Sequence, residues 1–157
     1  MSDTTNQSPN NFLQEFQKQQ LELDRLRAEL LPGNKAALFD ALAAAGIDTL
    51  QVGFDGCADS GQIDGIEAKT ADVTVSLPDV TITIGHVLND GSGVKQMNLP
   101  IEEAIEQLAY DFLAEIRSGW ENDDGAFGEF VFDVGKRSIT LEFNDRYTET
   151  EYSQHSW

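Results

Sequence analysis

The stretch from Asp111 to Asp124 carries the strongest chemical signal in this sequence. Asp111 and Glu115 stand four residues apart on a segment with helical periodicity, so their carboxylates share one face. Like charges at that spacing cost about 0.2–0.5 kcal/mol, and carboxylates toward a helix C-terminus are further disfavoured by the macrodipole. Glu102, Glu103 and Glu106 lie near the start of the same segment, where the macrodipole offsets their repulsion. Glu121, Asp123 and Asp124 follow in a glycine-bearing loop, with Arg117 as the nearby counter-charge. A locally unfavourable arrangement is a candidate for function. The chemistry it suits is capture of a basic protein surface, with Trp120 as an aromatic anchor, since Trp is enriched at binding hot spots. Two plainer readings stay open: Asp111 pairs with a base from another part of the fold, and Trp120 plugs the end of a sheet.

The second acidic stretch runs from Asp55 to Glu67. An EF-hand loop needs oxygen ligands at positions 1, 3 and 5, glycine at 6 and glutamate at 12. Placing Gly61 at 6 puts Gly56 and Ala58 where ligands belong, and placing Asp55 at 1 puts Cys57 at 3 and Ile66 at 12, so neither register works. A looser Ca or Mg site, with Asp55 and Asp59 joined by the loop from Glu121 to Asp124, is the alternative; otherwise no cofactor is expected. Asp59-Ser60-Gly61 matches the short stretch around a chymotrypsin-class nucleophile, but the chain is too short for that double barrel. Cys57 lies between two aspartates, which raise a thiol pKa and weaken the nucleophile. His86 ends a Thr/Ile strand and reads as its cap. There is no phosphate-binding glycine loop and no histidine pair at metal spacing. The chain is therefore expected to be non-enzymatic.

The elements that must position these residues fit one domain, since the chain has 157 residues and 40% of them are hydrophobic. Residues 1–10 are polar and read as a disordered lead. Phe12, Phe16, Leu23, Leu26 and Leu30 predict an amphipathic helix over 11–31, stopped by Pro32-Gly33. The domain proper is expected over 34–157. It opens with a helix over 35–45, N-capped by Asn34 and closed by Gly46. Leu50, Val52 and Phe54 alternate as in a half-buried strand, and 62–69 is a second one. Residues 73–77 and 80–84 are one bent strand or two. Asn89 to Gly93 is a turn. Pro100 opens a third helix whose buried face is Ile101, Ile105, Leu108, Phe112 and Ile116, ending near Ser118-Gly119. Phe130, Phe132 and Val134 return through Gly135-Lys136 to Ile139, Leu141 and Phe143 as a hairpin. The tail with Tyr147, Tyr152 and Trp157 is expected to pack down. This order predicts an α+β fold: a mainly antiparallel sheet of five to six strands with helices on one face.

Charge narrows the function classes. Lys+Arg is 10 and Asp+Glu is 28, a net charge of −18. Residues 1–35 hold four bases and five acids; the remaining 6 bases and 23 acids give 6 − 23 = −17. A body of that charge excludes direct binding to nucleic acid or to an anionic membrane, which need a basic footprint. It attracts basic partners and speeds encounter with them. The single cysteine excludes a disulfide framework, no apolar run is long enough to span a bilayer, and the N-terminus lacks a signal-peptide pattern. A cytoplasmic setting is expected.

Residues 34–47 (NKAALFDALAAAGI), Asp59-Ser-Gly-Gln62, Leu108-Ala-Tyr-Asp-Phe-Leu113 and residues 119–130 (GWENDDGAFGEF) together resemble a bacterial family of unknown function. The resemblance implies a genetic setting near plasmid or integrative-element maintenance genes. It carries no catalytic residues. The leading expectation is an acidic binding protein, in the manner of a DNA mimic or anti-defence factor, engaging a basic protein surface through Asp111, Glu115, Trp120, Glu121, Asp123 and Asp124. The alternatives are a divalent-cation module at Asp55 and Asp59 and a scaffold that dimerises through residues 11–31.

Overall fold

Apolar and polar residues alternate every second position through the strands, and this alternation builds the sheet. The computed structural model describes residues 9–57, 60–88, 92–116, 125–147 and 149–157. A long helix α1 (Pro9–Ala44) leads into an antiparallel pair, β1 (Thr49–Cys57) and β2 (Ser60–Thr70), and a short β3 (Val73–Val75). A separate hairpin follows, β4 (Thr81–Val87) and β5 (Val94–Pro100). Helix α2 (Ile101–Ile116) then leads to the hairpin of β6 (Ala126–Asp133) and β7 (Ser138–Asp145). The main sheet has five strands in the order β3-β2-β1-β6-β7, all antiparallel, and β4-β5 forms a second sheet of two. The fold is α+β, as the element order predicts.

Register turns the alternation into continuous apolar rows. Val75, Ala68, Leu50, Phe132 and Ile139 pair side by side across all five strands. Ile66, Val52, Phe130 and Leu141 form the next row, and Ile63, Phe54, Gly128 and Phe143 the third. Both helices press their apolar faces onto these rows, with Leu38, Phe39 and Leu42 from α1 and Ala104, Ile105, Leu108 and Leu113 from α2 in one core. Aromatic rings run through it: Phe54 lies 5.7 Å from Phe130, Phe112 6.0 Å from Phe130, and Phe39 6.2 Å from Phe132. Gly128 sits where a side chain cannot, because a Cβ there would overlap the Glu142 carbonyl and lie 2.9 Å from the Phe54 ring.

Helix α1 departs from expectation. Pro32-Gly33 does not stop it; one helix runs through both residues. Pro32 removes the N–H that would bond to the carbonyl of Ala28, but Ala28, Pro32 and Gly33 all face solvent, where water can satisfy that carbonyl. The flanks of the break are pinned to the same strand. Leu30 lies so close over Gly85 that a Cβ there would meet its Cδ2 at 2.7 Å. Asn34 donates from Nδ2 to the Gly85 carbonyl at 3.0 Å and accepts the Gly85 N–H on Oδ1 at 2.8 Å. Asn34 is thus a buried helix residue, not an N-cap. Its carboxamide acts as one more peptide group on the open edge of β4. Gly46 does close the helix as expected: at φ 75° it sends its N–H to the Ala43 carbonyl, and Ile47 sends its own to Leu42.

Three other expectations change. Residues 73–77 and 80–84 belong to different sheets, so Pro78-Asp79 is a crossover and not a bend. Strand β5 has no counterpart in the sequence reading, because Lys95, Gln96 and Asn98 on this exposed strand mask its alternation. The tail does not pack down: Tyr147, Tyr152 and Trp157 are exposed. Residues 1–8 and the predicted helix end at Ser118-Gly119 lie outside the described residues.

Asn34→Ala is expected to destabilise the chain by about 1–3 kcal/mol or more, because it strands a buried N–H and a buried carbonyl on Gly85. Asn34→Asp should cost more, since a carboxylate then faces that carbonyl. Urea unfolding of both variants checks it, and an unchanged midpoint for Asn34→Ala would show the bridge to be dispensable.

Candidate functional site

Docking of the β4-β5 hairpin between the two helices opens a cleft of about 250 Å³. Arg27, Leu30, Leu31 and Asn34 of α1 form one wall, Gly85, His86 and Val87 of β4 the end, and Leu108, Asp111, Phe112 and Glu115 of α2 the other wall. Each polar side chain arrives there for a local reason. Period two along β4 puts His86 on the same side as Ile82 and Ile84, and Ile84 is in the core. Period 3.6 along α2 puts Asp111 and Glu115 beside buried Leu108, at its solvent margin.

Asp111 is the expected site residue that the fold treats least as expected. It is not on an open acidic surface; its side chain is only 29% exposed. One oxygen accepts the Gln107 amide at 2.9 Å and the other lies 3.5 Å from His86 Nδ1. His86 is therefore the base from elsewhere in the fold that Asp111 faces. Burial pushes the Asp111 carboxyl above the ordinary carboxylate range, with His86, Gln107 and Arg27 opposing that rise. Glu115, one turn further on, is exposed at the mouth. It also borders a neighbouring hollow of about 230 Å³ with Leu31, Lys35, Phe112, Ile116 and Leu141. Arg27 pairs with Asp24 at 3.4 Å. Trp120, Glu121, Asp123 and Asp124 lie outside the described residues.

The other expected site is arranged differently. Asp55 accepts Arg146 Nη1 at 2.9 Å, and the same nitrogen donates to the Gly56 carbonyl at 3.0 Å. The Arg146 guanidinium also stacks over the Phe127 ring at 4.6 Å. Asp55 thus holds a guanidinium fixed by the fold. Asp59 lies outside the described residues, and among those described no group of three or more His, Cys, Asp or Glu is placed to hold a metal.

Chemically the cleft offers two carboxylates, an imidazole, a guanidinium, the Asn34 carboxamide and apolar walls. Among the described residues, no serine, threonine or cysteine lines it. Sequence reading missed His86, Asn34, Gln107 and Arg27 as its neighbours. The period-two face of β4 could have pointed His86 inward; nothing local pairs it with α2. No helix among the described residues is long and apolar enough to cross a membrane.

The fold is an α+β domain with a partly buried cleft that holds two carboxylates, an imidazole and a guanidinium. The chain belongs to a family of unknown function, DUF6878, whose model matches residues 30–157. No curated protein and no solved structure matches it. The part of α1 before residue 30 falls outside the family match.

Because its folded-state pKa is raised, Asp111 keeps its proton longer in the folded chain than in the unfolded one. Its contribution to stability is present at low pH and is lost as pH rises through the raised value. Asp111→Asn keeps the Gln107 bond without the buried charge. It is expected to match the wild type or exceed it by about a few tenths of a kcal/mol at neutral pH, and to remove that pH-dependent step. Denaturant melts across the acidic range check it; a large loss of stability at neutral pH would make the carboxylate a structural anchor.

Proposed function

We propose that this is an acidic, non-enzymatic protein-binding domain whose cleft between α1, β4 and α2 receives a Lys or Arg side chain of a basic partner. The observation that carries the reading is Asp111: a half-buried carboxylate, its charge opposed by burial, with a neutral amide and a histidine as its direct neighbours. Arg27, the fixed cation in the cleft wall, is paired with Asp24 at 3.4 Å, and an arriving ammonium or guanidinium adds a second positive charge at Asp111. Leu30, Leu31 and Phe112 offer apolar wall to the aliphatic stem, as long basic side chains require, and Glu115 meets the cation at the mouth. At about 250 Å³ the space falls below the roughly 300–1,000 Å³ of small-molecule sites and suits a side chain better than a cofactor.

The net charge of −18 draws such a partner in from a distance. The partner class that fits is a protein with a groove built for nucleic acid. An acidic mimic acting against host defence is consistent with the mobile-element setting that the sequence resemblance implies.

The test is titration with an arginine-rich peptide at fixed salt. Asp111→Asn or Glu115→Gln is expected to weaken binding about tenfold, or about 1.4 kcal/mol. Glu151→Gln, which removes one charge from the exposed tail, should change it far less. Equal effects from all three would mean that only the overall field matters, and the cleft reading would fail.

A further inference from the structure

The leading half of α1 presents an apolar face that nothing among the described residues covers. Phe12 and Phe16 are 67% and 52% exposed, while Leu23, on the same face, is buried and Leu26 and Leu30 are half-buried. The positions Phe12, Phe16, Gln19, Leu23, Leu26 and Leu30 advance by four, three, four, three and four residues, the 3.5-residue period of a coiled-coil seam with one polar position. The body of the protein covers the second part of this seam and leaves the first part bare.

We propose that this arm pairs with the arm of a second copy of the chain, antiparallel. Charge selects that partner. Residues 9–27 hold three bases and three acids, so the 7 bases and 25 acids elsewhere carry the entire charge of 7 − 25 = −18. A neutral arm neither recruits a basic protein nor suits an anionic membrane, which calls for a Lys/Arg-rich polar face. The arm is also where two such acidic bodies can meet with least repulsion. A parallel pair would set the bodies side by side. An antiparallel pair centred between Phe12 and Phe16 sets the two Leu23 residues about 27 Å apart at 1.5 Å per residue, well beyond the roughly 8 Å screening length of physiological salt. The bare seam is short, and an interface well under about 1,200 Å² belongs to weak, transient association. The arm precedes the part of the chain that the family model matches, residues 30–157.

Sedimentation of the full chain, from micromolar to near-millimolar concentration, tests this. A reversible monomer–dimer equilibrium is expected, weakened about tenfold or more by Phe16→Glu. Leu21→Glu is the control: Leu21 is 69% exposed but points to the opposite side of the helix, so dimerisation should persist. Circular dichroism melts of both variants should match the wild type, since neither side chain is buried. Added salt should leave the dimer intact or strengthen it, by screening the bodies, whereas it should weaken binding of a basic peptide in the cleft. A chain that stays monomeric throughout, equal effects of the two substitutions, dissociation by salt, or binding to anionic vesicles without self-association would each overturn the proposal.

Discussion

One side chain on α1 decides how the parts of this molecule meet. Asn34 completes both free hydrogen-bonding groups of Gly85, on the open edge of β4. Buried backbone groups without partners are costly, so the hairpin can bury this edge only where an amide waits for it. The contact spans 51 residues of sequence and fixes three things together. It holds α1 across Pro32, seats Leu30 over Gly85, and sets β4 at the distance from α2 that opens the cleft. Glycine at 85 is part of the same constraint, since a side chain there would collide with Leu30.

The cleft then owes its chemistry to the seam between two packing systems. The main sheet and both helices form a continuous aromatic and aliphatic core that needs no polar group. The two-stranded sheet is too small to bury much on its own and docks at the margin. Polar side chains are tolerated there because water reaches part of each, and burial is deep enough to disturb a carboxylate. Asp111 sits at that boundary, half in the core and half in the cleft, which is why burial opposes its charge.

Charge divides the chain along a different line. The part of the chain that the family model matches bears the excess acid, whereas the arm of α1 that precedes it is neutral and apolar on one face. These are two kinds of surface with opposite responses to salt: a field that works at a distance and fades with screening, and a hydrophobic stripe that acts only on contact.

What the sequence determined by itself is whatever depends on neighbours within a few residues. The alternation of β1, β6 and β7, the apolar stripe of α2 and the glycine cap at Gly46 are written in local spacing, because a strand or helix sorts its faces with a fixed period. The α+β class follows from their order. Tertiary structure decided what rests on contacts between distant segments. Pro32 and Gly33 read locally as a helix stop, yet packing on both sides of them keeps α1 whole. Strand β5 is hidden by its own polar side chains and exists because β4 pairs with it. Asp111 reads as one more surface acid on α2; only the hairpin docked at Gly85 places His86 3.5 Å away and makes it a half-buried carboxylate. A period reports which face a residue occupies, but what lies opposite that face is set by the chain's packing as a whole.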